Sequence, residues 1–172
     1  MPHFRDAVTT DWTPEQAFAY LADARNFAEW DPGTEESSLE TGSPTSPGGD
    51  GPGPGAIFAV RVHVGPPTVT LHYETVTYDV PTRVTLRAVH PLMELVDDIT
   101  VAVVDGVTTV TYDATVTMRG VARVLGPLVD RGFAKTAANG AEGLRARLSR
   151  PYAGDDGDDD GDGDDGVAGR HS

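Results

Sequence analysis

The chain has no cysteine and a single lysine, Lys135, against twelve arginines. The first absence excludes disulfides, thiolate nucleophiles and cysteine-ligated zinc; the second reads as coding bias and not as function. No apolar run approaches the ~20 residues needed to span a bilayer. The opening Met1-Pro2-His3-Phe4-Arg5-Asp6 lacks the basic segment and apolar stretch of a secretory signal. A cytoplasmic protein is the expectation. Positive charge is also in deficit, for the formal net charge is −14. Eight aspartates and Arg170 place −7 of it in residues 154–172, leaving −7 on the remainder. Even without that tail the chain would repel nucleic-acid phosphates and anionic membrane surfaces on average, so no nucleic-acid partner is expected.

At 172 residues one domain is the natural reading. A domain of ~150 residues buries roughly 68–70% of its unfolded surface, enough for a real core. Residues 1–152 supply it, and the Asp/Gly tail 153–172, almost without apolar residues, is expected to be disordered.

Residues 3–10 read as a strand. Thr13 before Pro14-Glu15-Gln16 is a helix start, with a hydroxyl N-cap, proline at the first helical position and Gln16 placed for a capping box. Ala17, Phe18, Tyr20, Leu21 and Ala24 make one apolar face, and Asp23 to Trp30 forms a second short helix that Pro32-Gly33 stops. Thr34 to Leu39 reads as an edge strand. The Pro/Gly-rich segment 41–55 cannot pack a core and reads as a flexible inter-strand insertion.

From Ala56 the pattern alternates. Phe58, Val60, Val62 and Val64 share a face, as do Val69, Leu71 and Tyr73, then Val84, Leu86 and Ala88. Residues 94–104 form another strand ending at the Asp105-Gly106 hairpin signal, and Val110, Tyr112, Ala114, Val116 and Met118 alternate after it. Even spacing and short turns describe an antiparallel meander. Gly120 to Leu148 is a long amphipathic helix that Gly126-Pro127 should kink or break. A long twisted sheet with one apolar face curls, and the last helix is the only element long enough to cover its concave side. Such an arrangement leaves room for a ligand cavity.

The stretch Pro14 to Asp23, then Asn26-Phe27-Ala28-Glu29-Trp30-Asp31-Pro32-Gly33, Leu71-His72-Tyr73-Glu74 and Val107 to Tyr112, resembles the START-like (SRPBCC) superfamily in its polyketide cyclase/dehydrase branch. The resemblance covers residues 3 to about 149 apart from 41–55. It implies an α+β helix-grip fold: a curved seven-stranded antiparallel sheet wrapped around a long C-terminal helix, with two short helices after the first strand. It also implies an apolar cavity that binds lipids or other hydrophobic molecules, or in some members cyclises polyketides. No single catalytic signature transfers residue by residue.

The expected cavity lining is Trp30, Phe58, Val60, Val62, Leu71, Tyr73, Leu86, Asp97, Ile99, Tyr112, Leu125 and Phe133, with Val101, Val110 and Val116 as further wall residues. Each is also compatible with plain core, since walls and core share a composition. Trp30 is expected to roof the cavity with its N–H toward solvent, or to anchor helix to strand. Asp31 should cap its own turn. Tyr73 and Tyr112 fall on inward faces of different strands, and a buried phenol needs a partner. The adjacent Asp97 and Asp98 are open to two readings: an edge or strand-end position in water, or one of them facing inward, where an apolar setting would raise its pKa and suit it to acid/base work. His72 and His90 lack metal spacing. There is no Gly-x-Ser-x-Gly elbow, phosphate loop or dinucleotide fingerprint, so no cofactor is expected. Asp156, Asp158, Asp160 and Gly161 begin like a calcium loop, but Val167 stands where its glutamate belongs, so no metal is expected. The primary expectation is binding of a hydrophobic small molecule; the alternatives are a polyketide cyclase/dehydratase using Tyr73, Tyr112 or Asp97, and a partner-binding scaffold.

Overall fold

The computed structural model describes residues 2–63, 67–120 and 126–152, excepting the side chains of 126–131. Val64, Gly65-Pro66, Val121, Arg123, Leu125 and the tail from residue 153 therefore lie outside the described residues, as do the side chains of Leu128, Asp130 and Arg131. Seven strands, β1 (His3–Thr10), β2 (Thr34–Thr41), β3 (Ile57–His63), β4 (Thr68–Asp79), β5 (Arg83–His90), β6 (Met93–Val104) and β7 (Val107–Met118), form one antiparallel sheet. Its order is β1-β7-β6-β5-β4-β3-β2. Among the described residues three α-helices accompany it: α1 (Pro14–Leu21) and α2 (Phe27–Trp30), joined by a 3-10 turn at Ala24–Asn26, and α3 (Gly126–Leu148). This is the α+β helix-grip arrangement that the resemblance implied.

Local chemistry explains the elements. At α1 the capping box is complete: the Gln16 N–H donates to Thr13 Oγ1 at 3.2 Å, and the Thr13 N–H donates to Gln16 Oε1 at 3.0 Å. Asp105 and Gly106 both have positive φ, 51° and 81°, which a two-residue hairpin of the sheet's own twist requires. The register between β4 and β5 shifts between Thr75 and Thr77, and that between β2 and β3 shifts twice. Such bulges bend a strand and sharpen its twist, which curves the sheet. The segment between β2 and β3 folds on itself. The Ser43 hydroxyl, fully buried, donates to the Pro54 carbonyl at 2.7 Å, and the Ser46 hydroxyl to that of Pro52 at 2.6 Å.

Alternation then sorts the two faces of the sheet. On β6, Leu95, Asp97, Ile99 and Val101 point to the concave side. Asp98 points out, where Arg83 grips it at 2.9 and 3.0 Å and the Thr85 hydroxyl donates at 2.8 Å. α1 packs against β5 and β6, and Phe18, Leu21, Leu86 and Ile99 belong to one buried cluster.

α3 lies against β1, β7 and α2. Gly126-Pro127 stands at the start of the described helix and not within it. A first-turn proline lacks only an N–H that would have no intrahelical partner there. Ala137, Ala141, Leu144 and Leu148 are the buried stripe. The far end is clasped: the Thr10 hydroxyl donates to the Leu148 carbonyl and the Trp12 indole N–H to that of Arg150, both at 2.7 Å. The Arg147 guanidinium stands 4.9 Å from the Trp12 ring centre and 4.8 Å from that of Tyr20. Among the described residues no helix is long and apolar enough to cross a membrane.

Candidate functional site

A cavity of about 300 Å³ lies between the concave face of the sheet and α3. The Trp30-Asp31-Pro32-Gly33 turn supplies Trp30, Asp31 and Gly33 to its wall. The Asp31 carboxylate accepts from the Gly33 N–H at 2.9 Å and the Thr34 hydroxyl at 2.8 Å, fixing the turn as the sequence suggested. α3 then sits directly on this turn because it is glycine there. A Cβ at Gly143 would fall on the Trp30 carbonyl oxygen, and one at Gly140 would lie 3.5 Å from Asp31 Oδ1.

Four aromatic rings pack edge-on in a chain across the site. Tyr73 meets Phe27 at 6.0 Å between centroids, Phe27 meets Trp30 at 5.2 Å, and Trp30 meets Tyr112 at 5.8 Å. Trp30 is thus both wall and anchor. Its N–H is buried, contrary to the expectation that it would reach solvent, and has no hydrogen-bond partner among the described residues. The turn folds under α3, which carries the whole indole inward.

Three polar side chains converge among apolar neighbours. Asp97 on β6 accepts from the Tyr112 hydroxyl of β7 at 3.0 Å. The Tyr73 hydroxyl of β4 lies close enough to favour the same carboxylate's charged form. Burial nevertheless dominates and pushes the Asp97 carboxyl up to about 6, with the charge of Asp31 adding to the rise. Burial, chiefly, and the Asp97 charge hold both phenols well above their usual range, so they remain neutral hydrogen-bond donors.

Of the residues expected to line the cavity, Trp30, Val60, Val62, Leu71, Tyr73, Asp97, Val116, Tyr112 and Phe133 do so. Phe58, Leu86 and Ile99 do not: they are fully buried in solid core, as are Val101 and Val110 nearby. At one end of the concave face α1 packs on β5 and β6 and the 3-10 turn Ala24–Asn26 packs on β3, which confines the open space to the other end. Leu125 lies outside the described residues. His72 faces outward, 2.7 Å from Glu40, and the His90 ring accepts from the Leu92 N–H at the β5–β6 turn.

Sequence reasoning missed Phe27, His63, Met93, Leu95, Ala114, Thr136, Ala137 and Gly140. Met93 and Leu95 share the two-residue phase of Asp97, and Ala114 that of Tyr112, so alternation could have found them. Nothing in the local pattern links Gly140 to the aromatic turn. The wall opens where His63, Gly132 and Thr136 are exposed. Among the described residues no three His, Asp or Glu side chains gather to hold a metal ion.

Residues 1–149 match the family model described as "Polyketide cyclase / dehydrase and lipid transport". No curated protein matches the sequence. Solved structures share the fold at low identity. A START superfamily protein from Mycobacterium smegmatis aligns with a TM-score of 0.66 at 13% identity, over 85% of this chain and 96% of its own. The Zhui aromatase/cyclase from Streptomyces sp. R1128 aligns with a TM-score of 0.58 at 14% identity, over 85% and 90%. Major latex-like protein 151 from Panax ginseng gives 0.55 at 12% identity, over 85% and 96%.

Proposed function

The chain belongs to the polyketide cyclase/dehydrase and lipid transport family, and on that premise we propose that it binds a hydrophobic small molecule, a lipid or a polyketide-like compound, between the sheet and α3. The observation that carries this reading is the cavity of about 300 Å³, whose largely apolar walls converge on Tyr73, Asp97 and Tyr112. Ligand sites are commonly ~300–1,000 Å³, apolar, with a few fixed polar groups that set orientation. Leu71, Leu95, Val116 and Phe133 would hold the apolar body; the aspartate and its tyrosines would orient the polar end. The test is fluorescence of the neutral probe N-phenyl-1-naphthylamine, with native mass spectrometry of freshly purified protein. Saturable binding is expected, and Ala114→Phe, which fills the cavity from β7, should abolish it. No saturable binding and no co-purified mass would refute the reading.

A second reading, cyclase/dehydratase activity, is favoured by one specific observation: a buried carboxyl titrating near 6 in contact with a neutral phenol. Asp97 would take a proton from the carbon beside a ketone, and as its charge is lost the Tyr112 and Tyr73 hydroxyls would turn from it to donate to the enolate oxygen. Turnover of a linear polyketone, lost in Asp97→Asn while probe binding persists, is its signature. Unchanged turnover in that variant would exclude Asp97 as the base.

A further inference from the structure

Granting that the cavity binds a hydrophobic molecule, we infer that its preferred ligand is a hydrophobic amine, whose protonated nitrogen sits against the Asp97 carboxylate. The groups around that carboxylate are neutral donors or a second carboxylate. β7 presents the Tyr112 hydroxyl and β4 the Tyr73 hydroxyl, both neutral donors. From the aromatic turn comes Asp31, a second carboxylate already committed to Gly33 and Thr34. β3 contributes His63 at the exposed rim. α3 contributes Gly132, Phe133, Thr136, Ala137 and Gly140, none of them charged. Among the described residues, no lysine or arginine lines the wall.

Two carboxylates thus face one low-dielectric space, and among the described residues no cation stands opposite them. A buried charge is normally paired, because an unpaired one is costly. An ionised carboxylate has about four acceptor sites, and two tyrosines fill at most two of them. The vacant acceptor capacity faces a volume that only water or ligand can occupy. A ligand carboxylate would place a third negative charge there; an alcohol would satisfy the hydrogen bond alone; an ammonium would satisfy the bond and the charge together.

The experiment uses the full chain and three probes with the same tail, decylamine, decanol and decanoate, each displacing N-phenyl-1-naphthylamine near neutral pH. The amine should bind at least about tenfold tighter than decanol, and decanoate weakest, since a charge-assisted hydrogen bond exceeds a neutral one by that order. Asp97→Asn should bring amine and alcohol to within about threefold, since the charge-assisted part of the contact is gone. The wild-type protein supplies a variant-free control: well below the Asp97 titration near 6 the amine should lose its advantage over decanol. Equal affinities at neutral pH, or decanoate binding best, would overturn the inference while leaving the binding function intact. Failure of all three probes and of the naphthylamine itself would overturn both.

Discussion

Replacing Asp97 with asparagine should make the protein more stable at neutral pH even as it weakens the site. Burial at 6% relative exposure raises this carboxyl from its ordinary 3.8 to about 6. Between those values the folded chain holds a proton that the unfolded chain has released, so this group's contribution falls as pH rises. It is fully present below 3.8 and lost as pH climbs through 6. Above that range the penalty is about two pH units at 1.36 kcal/mol each, or roughly 3 kcal/mol. Asparagine keeps the shape and still accepts from Tyr112, but carries no charge to desolvate. Urea denaturation of both proteins isolates the effect, because every other titrating group is shared. The variant should exceed wild type by roughly 2–3 kcal/mol near pH 7.5 and lie within about 0.5 kcal/mol of it near pH 4. Equal stabilities near pH 7.5, or a variant weaker at both values, would refute the claim that an uncompensated carboxylate lines the cavity. A group that costs stability where it stands, and that also faces a cavity beside two phenols, is a functional candidate.

Gly143→Ala should destabilise by about 1–3 kcal/mol in thermal or urea denaturation, because the new methyl meets the Trp30 carbonyl and the helix must shift. Gly132→Ala, with nothing within 4 Å of the new methyl, should instead be neutral or stabilise by up to ~1 kcal/mol through helix propensity. Arg147→Ala should cost about 1–2 kcal/mol, as its side chain is only 12% exposed between two rings. The accompanying Glu29 contact, half-exposed, adds little, so Glu29→Gln should leave the melting temperature nearly unchanged. Thr13→Ala removes the acceptor of the capping box and should cost about 1 kcal/mol by the same measurement.

Much of the site's chemistry was readable in advance because strands impose a strict two-residue alternation. Once β6 and β7 were recognised, Tyr112 had to share a face with Val110 and Val116, and one of Asp97 and Asp98 had to point inward. Which aspartate it was follows from pairing. Asp98 stands opposite Thr85 and beside Arg83, an outer position that supplies a cation; Asp97 stands opposite Leu86 on the buried side. The misplaced wall residues fail for a different reason. Phe58, Leu86 and Ile99 have the right phase and the right chemistry, but α1, packed on β5 and β6, and the 3-10 turn, packed on β3, cover their end of the sheet. Phase tells which face a side chain takes, and not what lies above that face.

The sequence by itself determined the elements, their order, the turns between them and the apolar side of each. These follow from short-range physics: capping at Thr13, positive φ at Asp105-Gly106, alternation along the strands and a helical stripe ending at Leu148. Only the tertiary structure decided where the interior stays open and which charge it encloses. That outcome depends on long-range docking, with α1 filling one end and the glycines of α3 settling on the Trp30-Asp31-Pro32-Gly33 turn at the other. Residues more than a hundred positions apart thereby share one wall. A carboxylate's pKa likewise depends on its solvent and neighbours in space, and no spacing along the chain records them.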